Sequence, residues 1–185
     1  MARKFVRHET VEAEQLTCQL LVDEIDEISD VDDQTGFGAS LGGVISGDYV
    51  YFNNSRPNSE GAGAKCENWQ ILSPIHATGA GVTELNRSIH RHFRADLIET
   101  AQAFVKYGRK VPKPMGPEGI VYGDKVMNNR NHRHKDVYPE EFAEGSPFTG
   151  PAEFVANGEI GMVVGQFKRR GQKFKVTRLK VEFST

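Results

Sequence analysis

Two short segments constrain the fold of this 185-residue chain more than any other part of its sequence. Residues 123–131 read GDKVMNNRN, and residues 157–164 read NGEIGMVV. Val126 and Met127 favour β-structure next to a Gly-Asp turn, and Asn157-Gly158 favours a hairpin turn with positive φ angles. Gly161 interrupts an apolar run, which indicates a bulge, a bend or a close backbone approach. We therefore predict an antiparallel, curved sheet that forms a small barrel over residues 116–185.

Composition places the chain among globular proteins, because 38% of its residues are hydrophobic and 26% are charged. The sequence has no apolar run near the roughly 20 residues that span a bilayer, and its first residues lack the apolar core of a secretory signal. We expect a cytoplasmic protein with no membrane partner. In that compartment Cys18 and Cys66 are expected to be buried, reduced thiols rather than a disulfide.

Helical periodicity marks two segments of the first part of the chain. Residues 11–28 carry Leu16, Leu20, Ile25 and Ile28 near i, i+4 spacing, with Thr10 as the predicted N-cap. Residues 82–93 predict a second helix that packs through Leu85, Ile89 and Phe93. Its other face is predicted to stay in solvent, with Arg87, His90, Arg91 and Arg94. Residues 95–107 either extend this helix or begin another.

Strand and loop signals fill the intervening sequence. Residues 44–52 predict a strand or hairpin, whereas residues 53–64 have the composition of a mobile loop. Residues 69–74 predict a short buried strand of an α/β sheet that ends at Pro74. The Pro- and Gly-rich residues 110–119 predict a boundary between units 1–115 and 116–185, with residues 29–68 as an irregular insertion in the first unit.

The same segments resemble RecD-type superfamily 1 DNA helicases, the family of the exonuclease V alpha subunit. The barrel pattern of that family is matched by residues 123–127, by Asn131 and by residues 157–161. Residues 70–86, QILSPIHATGAGVTELN, are similar to a segment of the second motor domain that precedes the barrel. The resemblance implies an α/β fold: a partial RecA-like domain followed by an SH3-like barrel. The matching positions are Ser73, Pro74, Gly81, Leu85, Asn86, Gly123, Asp124, Asn157, Gly158 and Gly161.

The resemblance implies a DNA partner but no catalysis by this chain. A phosphate loop requires glycine-rich backbone ending in Gly-Lys-Ser/Thr, and residues 61–66 lack both that spacing and the hydroxyl. The later helicase motifs are also absent, so we expect a fragment that binds no cofactor itself. ATP and Mg²⁺ belong to the intact enzyme, whose remaining domains are expected partners together with single-stranded DNA. The candidate DNA-binding residues are Lys125, Arg130, Asn131, Arg133, Lys135, Lys173 and Lys175.

Charge supports the position of these candidates. Residues 9–33 carry acidic side chains and no Lys or Arg, whereas residues 168–180 are strongly basic. This basic tract predicts two strands around Gly171, either as a solvated hairpin or as a rib that contacts phosphates. A nucleic-acid partner should therefore meet the C-terminal part of the chain.

Other chemistry has weaker support in the sequence. His132 and His134 share a face on a strand, but no third ligand completes a metal site and the flanking cations oppose one. Ser73, Ser88 and Cys66 lack a nucleophile arrangement, and Glu140, Glu141 and Glu144 are typical of a solvated loop. Two functions besides the helicase stay open: an adaptor that presents an SH3-like barrel to a protein partner, and an RNA-associated barrel protein.

Overall fold

A computed structural model of the chain describes residues 10–55, 59–73, 81–102, 114–133, 154–168 and 176–184. Within these ranges the protein is mixed α/β, with four α-helices and three small antiparallel sheets. The helices are α1 (Thr10–Glu24), α2 (Gln34–Ser40), α3 (Val82–Phe93) and α4 (Ala95–Gln102), and a 3₁₀-helix spans Ala62–Lys65. The expected α/β class is confirmed at this level.

The predicted helices are present with corrected ends. Helix α3 has the predicted bounds, and Arg94, with φ −120°, separates it from α4, so a second helix begins rather than the first continuing. Helix α1 ends at Glu24, earlier than predicted, because Ile28 N–H bonds the carbonyl of Ile25 in a tight turn. Ile25 and Ile28 are nevertheless buried, since the turn keeps both on the core side.

The strands form antiparallel pairs only. Strands β1 (Val44–Ser46) and β2 (Tyr49–Tyr51) make the predicted hairpin, and β4 (His132–Arg133) pairs with β5 (Phe154–Val155). The largest sheet has the order β3-β6-β7, with β3 at Lys125–Met127, β6 at Ile160–Lys168 and β7 at Val176–Phe183. Strand β7 confirms a strand in the C-terminal part of the predicted basic tract, while residues 169–175, with the predicted turn at Gly171, lie outside the described residues. In the described ranges β3 and β7 are both sheet edges, so no closed barrel is formed there.

Glycines at two predicted turns have the expected geometry. Gly123 and Gly158 have φ angles of +82° and +95°, which residues with a side chain rarely adopt. A Cβ on Gly161 would lie 2.6 Å from the carbonyl oxygen of Glu182, so the predicted close backbone approach is confirmed. The missing side chain at Gly161 therefore lets β6 pair closely with β7 at this position.

Two sequence predictions fail around the middle of the chain. Residues 69–73 form no strand, and Leu72 is 87% exposed, because no strand of the described chain pairs with them. Gly61, Ala62 and Gly63 are buried, although their composition predicted a mobile loop. The reason is Glu182, whose carboxylate accepts the backbone N–H groups of Ser55 at 2.5 Å and Gly63 at 3.0 Å. Composition does not reveal a partner so distant in sequence.

One hydrophobic core connects the two predicted units. Phe37 and Phe93 stack with ring centroids 4.4 Å apart, and Met162 of β6 belongs to the same buried cluster. Cys18 and Cys66 are buried free thiols, as predicted. The other members of the cluster are Leu21, Ile25, Ile28, Leu41, Phe52 and Ala62. The division near residue 115 stays a prediction, but side chains from both sides of it share this core.

Candidate functional site

A buried carboxylate, Asp124, lies at the centre of the site where α3 meets the turn before β3. Its Oδ2 lies 2.9 Å from Nε2 of His90 and accepts the backbone N–H of Val121 at 2.8 Å. Its Oδ1 lies 3.5 Å from Nε of Arg94. Asp124 thereby connects two segments that are far apart in sequence, since a buried charge needs both a counter-ion and hydrogen bonds.

Arg94 is buried, which corrects the prediction that its face of α3 stays in solvent. The guanidinium lies over the rings of Phe37 and Phe52, 5.2 and 5.4 Å from their centroids, and it donates a hydrogen bond to the carbonyl of Gly123. Burial lowers the pKa of Arg94, and the charge of Asp124 opposes that shift. His90 is only partly exposed, so α3 and the residue that follows it turn two polar side chains toward the turn before β3.

Lys125 points toward Trp69 rather than into solvent. Its Nζ lies 4.9 Å from the centre of the indole ring and donates to the Trp69 carbonyl at 2.6 Å. Burial lowers the pKa of Lys125, while Cys66 and Glu67 act in the opposite direction. The indole N–H of Trp69 in turn donates to Oγ of Ser40 at 3.3 Å. This cation–π contact holds the lysine charge against Trp69, inside the fold rather than in solvent.

A polar loop next to β3 presents Arg130 to solvent. The Asn128 side-chain amide donates to the carbonyls of Arg130, Val155 and Ala156, at 2.6, 3.0 and 2.8 Å. Oδ1 of Asn131 accepts the backbone N–H of Asn157 at 2.8 Å. The side chain of Arg130 is exposed. The loop is therefore held by asparagines on both of its sides, and a cation projects from it.

The remaining candidates divide between described and undescribed parts of the chain. Arg133 pairs with Phe154 in the β4–β5 ladder. In α3 and at its start, Gly81 and Leu85 are buried and Asn86 is exposed, while Ser73 is partly buried. Four candidates lie outside the described residues: Pro74, Lys135, Lys173 and Lys175. The structure thus brings Gly123 and Asp124 together with the C-terminal end of α3 and Arg94, Lys125 together with Trp69, and Asn131 together with Asn157.

The described part of the chain shows neither a metal-ligand cluster nor a membrane-spanning helix. No group of three or more His, Cys, Asp or Glu side chains there is arranged to hold a metal ion. His134 lies outside this part, so the pairing with His132 stays untested. None of the described helices combines the length and apolar character needed to cross a bilayer.

Comparison with known proteins adds no relative. No protein-family model matches the chain, no curated protein matches it, and no solved structure matches it.

Sequence reasoning missed three residues that organise the site. Arg94 was predicted to lie in solvent and Trp69 in a strand, and Glu182 was given no role, but each pairs with a residue distant in sequence. One signal was available for Arg94, because it follows directly after the buried Phe93 at the end of α3. No local signal existed for Glu182, whose partners are backbone N–H groups.

Proposed function

We propose that this chain is part of a RecD-type ATP-dependent DNA helicase and lines the path of single-stranded DNA. In this proposal a partial RecA-like motor domain carries an SH3-like insertion. The supporting observation is the contact between the two segments that carry the resemblance. Helix α3 begins in the first segment and Asp124 lies in the second, and His90 of α3 and Arg94, the residue after α3, both contact Asp124. Segments that act as one motor element need such a fixed relative position.

The chemistry of the proposed function is binding without hydrolysis. The sequence contains no Gly-Lys-Ser/Thr phosphate loop, so ATP and Mg²⁺ would be held by the remaining domains. Arg130, on its asparagine-held loop, supplies a cation for DNA phosphates, and the basic residues near 168–180 extend that charge. The side chain of Lys125 instead contacts Trp69 inside the fold, so it is not a cation for DNA in this proposal.

The test is salt-dependent binding of single-stranded DNA to the purified chain. We expect the affinity for a labelled oligothymidylate of about 20 nucleotides to fall steeply between about 50 and 200 mM salt. We also expect no ATP hydrolysis above background, with or without the oligonucleotide. Affinity for the oligonucleotide that does not change with salt would contradict the proposed DNA path. Measurable ATP hydrolysis by this chain would contradict the proposal that the remaining domains hold ATP and Mg²⁺.

A second candidate, an adaptor for a protein partner, is favoured by one observation. The β1–β2 hairpin exposes large apolar side chains, including Tyr49 and Val44. Large exposed apolar patches mark protein interaction surfaces, among other sites. An adaptor that binds no DNA in the experiment above, but binds protein through this hairpin, would replace the helicase proposal.

A further inference from the structure

One face of the β1–β2 hairpin is left uncovered by the described fold. Val44 is paired with Tyr51 and Ser46 with Tyr49, so these four side chains share a face. Val44 is 58% exposed, Tyr49 69% and Tyr51 47%. On the opposite face Val50 packs against the core beside Gly38 and Gly43. The hairpin is therefore anchored on one side and presents an apolar, aromatic surface on the other.

The two tyrosines form an open aromatic platform. Their ring centroids are 6.5 Å apart, with the ring planes inclined by 57°. Tyrosine rings attract cations over their faces, and the flat guanidinium of arginine stacks on them better than an ammonium does. The platform thus favours an arginine-bearing ligand.

The charge around the hairpin narrows the choice of ligand. Residues 9–55 contain eleven Asp and Glu residues and no Lys or Arg. Asp48 is exposed in the hairpin turn itself. Asp26, Glu27, Asp30 and Asp32 are exposed in the loop before α2, and α2, a helix about 10 Å long, contacts both strands. A nucleic acid would be repelled here, whereas a basic protein segment is complementary in charge.

We propose that the outer face of the β1–β2 hairpin, with Val44, Tyr49 and Tyr51, docks an arginine-rich segment of a protein partner. Apolar side chains of the partner cover Val44, and its guanidinium groups stack on the tyrosines and face Asp48 and the acidic loop. This inference does not depend on the helicase proposal, because it concerns a surface of opposite charge from the proposed DNA path.

Labelled peptides of about ten residues test the chemistry directly in a fluorescence anisotropy titration of the full chain. We expect a peptide alternating arginine and leucine to bind, its lysine counterpart to bind several-fold more weakly, and its glutamate counterpart not to bind. The double variant Tyr49→Ala/Tyr51→Ala should weaken arginine-peptide binding about tenfold. Equal binding of the arginine and glutamate peptides would overturn the proposal.

Control variants separate docking from misfolding. Leu72→Ala removes another exposed apolar side chain, 87% exposed, and should leave peptide binding unchanged. The charge variant Asp26→Asn/Asp48→Asn should weaken binding several-fold without altering the aromatic platform. Unchanged binding by both the tyrosine and charge variants would overturn the proposal. So would tyrosine-dependent self-association in sedimentation, or loss of single-stranded DNA binding in the tyrosine variant, since each identifies a different occupant.

Discussion

Arg94 and Asp124 form an ion pair inside the protein, with Nε 3.5 Å from Oδ1 and both side chains less than 10% exposed. Because each charge is removed from water, the pair costs desolvation that only its partner and neighbouring dipoles offset. The guanidinium satisfies this requirement with two aromatic faces and a carbonyl, and the carboxylate does so with His90 and a backbone N–H. Removal of one member therefore leaves a buried charge without its counter-ion.

We expect Asp124→Ala to lower the free energy of unfolding by about 3–5 kcal/mol, because Arg94 would keep its buried charge without a counter-ion. Urea denaturation followed by circular dichroism measures this loss. The matched control is Glu118→Gln, which breaks an exposed ion pair to Arg87 and should leave the urea midpoint unchanged. Equal midpoints for both variants would show that Asp124 does not balance Arg94.

Substitution of Gly123 and of Gly158 by alanine separates the cost of a strained backbone from the cost of a steric clash, because both glycines have positive φ but only Gly123 is tightly packed. At Gly158 a Cβ would meet no atom within 4 Å. Gly158→Ala should therefore lower the free energy of unfolding by about 1–2 kcal/mol, the cost of a left-handed backbone for a residue with a side chain. Alanine at Gly123 adds a clash, because its Cβ would lie 2.4 Å from the Phe52 ring. Thermal unfolding should therefore show a clearly larger loss for Gly123→Ala, and a reversed order would contradict the assigned packing.

Lys125 and Arg130 should differ in their effect on DNA binding. We expect Arg130→Ala to reduce the salt dependence of single-stranded DNA binding by about one phosphate contact. Lys125→Met should leave that slope unchanged, because the lysine charge is already engaged by Trp69. Trp69 is the only tryptophan of the sequence, so its emission spectrum reports the loss of the lysine independently. If the salt dependence of DNA affinity changed in Lys125→Met and not in Arg130→Ala, the assignment of Arg130 as the DNA contact would be wrong.

Asp33 caps α2, and its effect on stability should depend on pH. Burial raises the pKa of its carboxyl, but hydrogen bonds from Gly36 and Ser29 outweigh burial and place the pKa below its ordinary value. Because the pKa of Asp33 is lower in the folded protein, the ionised carboxylate stabilises the fold at pH values above its ordinary pKa. This stabilisation is lost as the pH falls through the lowered pKa of the folded state. We expect Asp33→Ala to cost about 1 kcal/mol at neutral pH.

The control for Asp33 is the same comparison in acid. Because the wild-type cap loses its charge there, the stability difference between wild type and Asp33→Ala should shrink as the pH falls below about 4. Urea titrations at each pH measure it. A difference that grows on acidification would contradict the sign of this assignment.

Cys66 and Cys18 should resist thiol reagents in the native protein. Cys66 is 0% exposed, and burial raises its thiol pKa, which lowers the fraction of reactive thiolate. We expect both cysteines to react with a disulfide reagent rapidly in urea and slowly in buffer. Rapid native modification of one thiol would contradict its burial.

The sequence was most informative where local chemistry determines conformation. Helix α3 begins and ends as its apolar periodicity predicted, and Gly158 adopts the positive φ that an Asn-Gly turn requires. The β1–β2 hairpin was likewise predicted from alternating residues. It was least informative for Ile71 and Leu72, because an apolar run does not state whether a neighbouring strand exists to bury it.

The sequence alone determined the glycine turns, helix α3 and the separation of an acidic N-terminal part from a basic C-terminal tract. These features follow from neighbouring residues and from composition. Only the tertiary structure decided which charges are buried. Arg94 and Lys125 are both cations on predicted exposed surfaces, yet one balances Asp124 and the other covers Trp69. The physical reason is that a charge becomes buried only when partners from distant segments meet it, and periodicity along the chain carries no information about those partners.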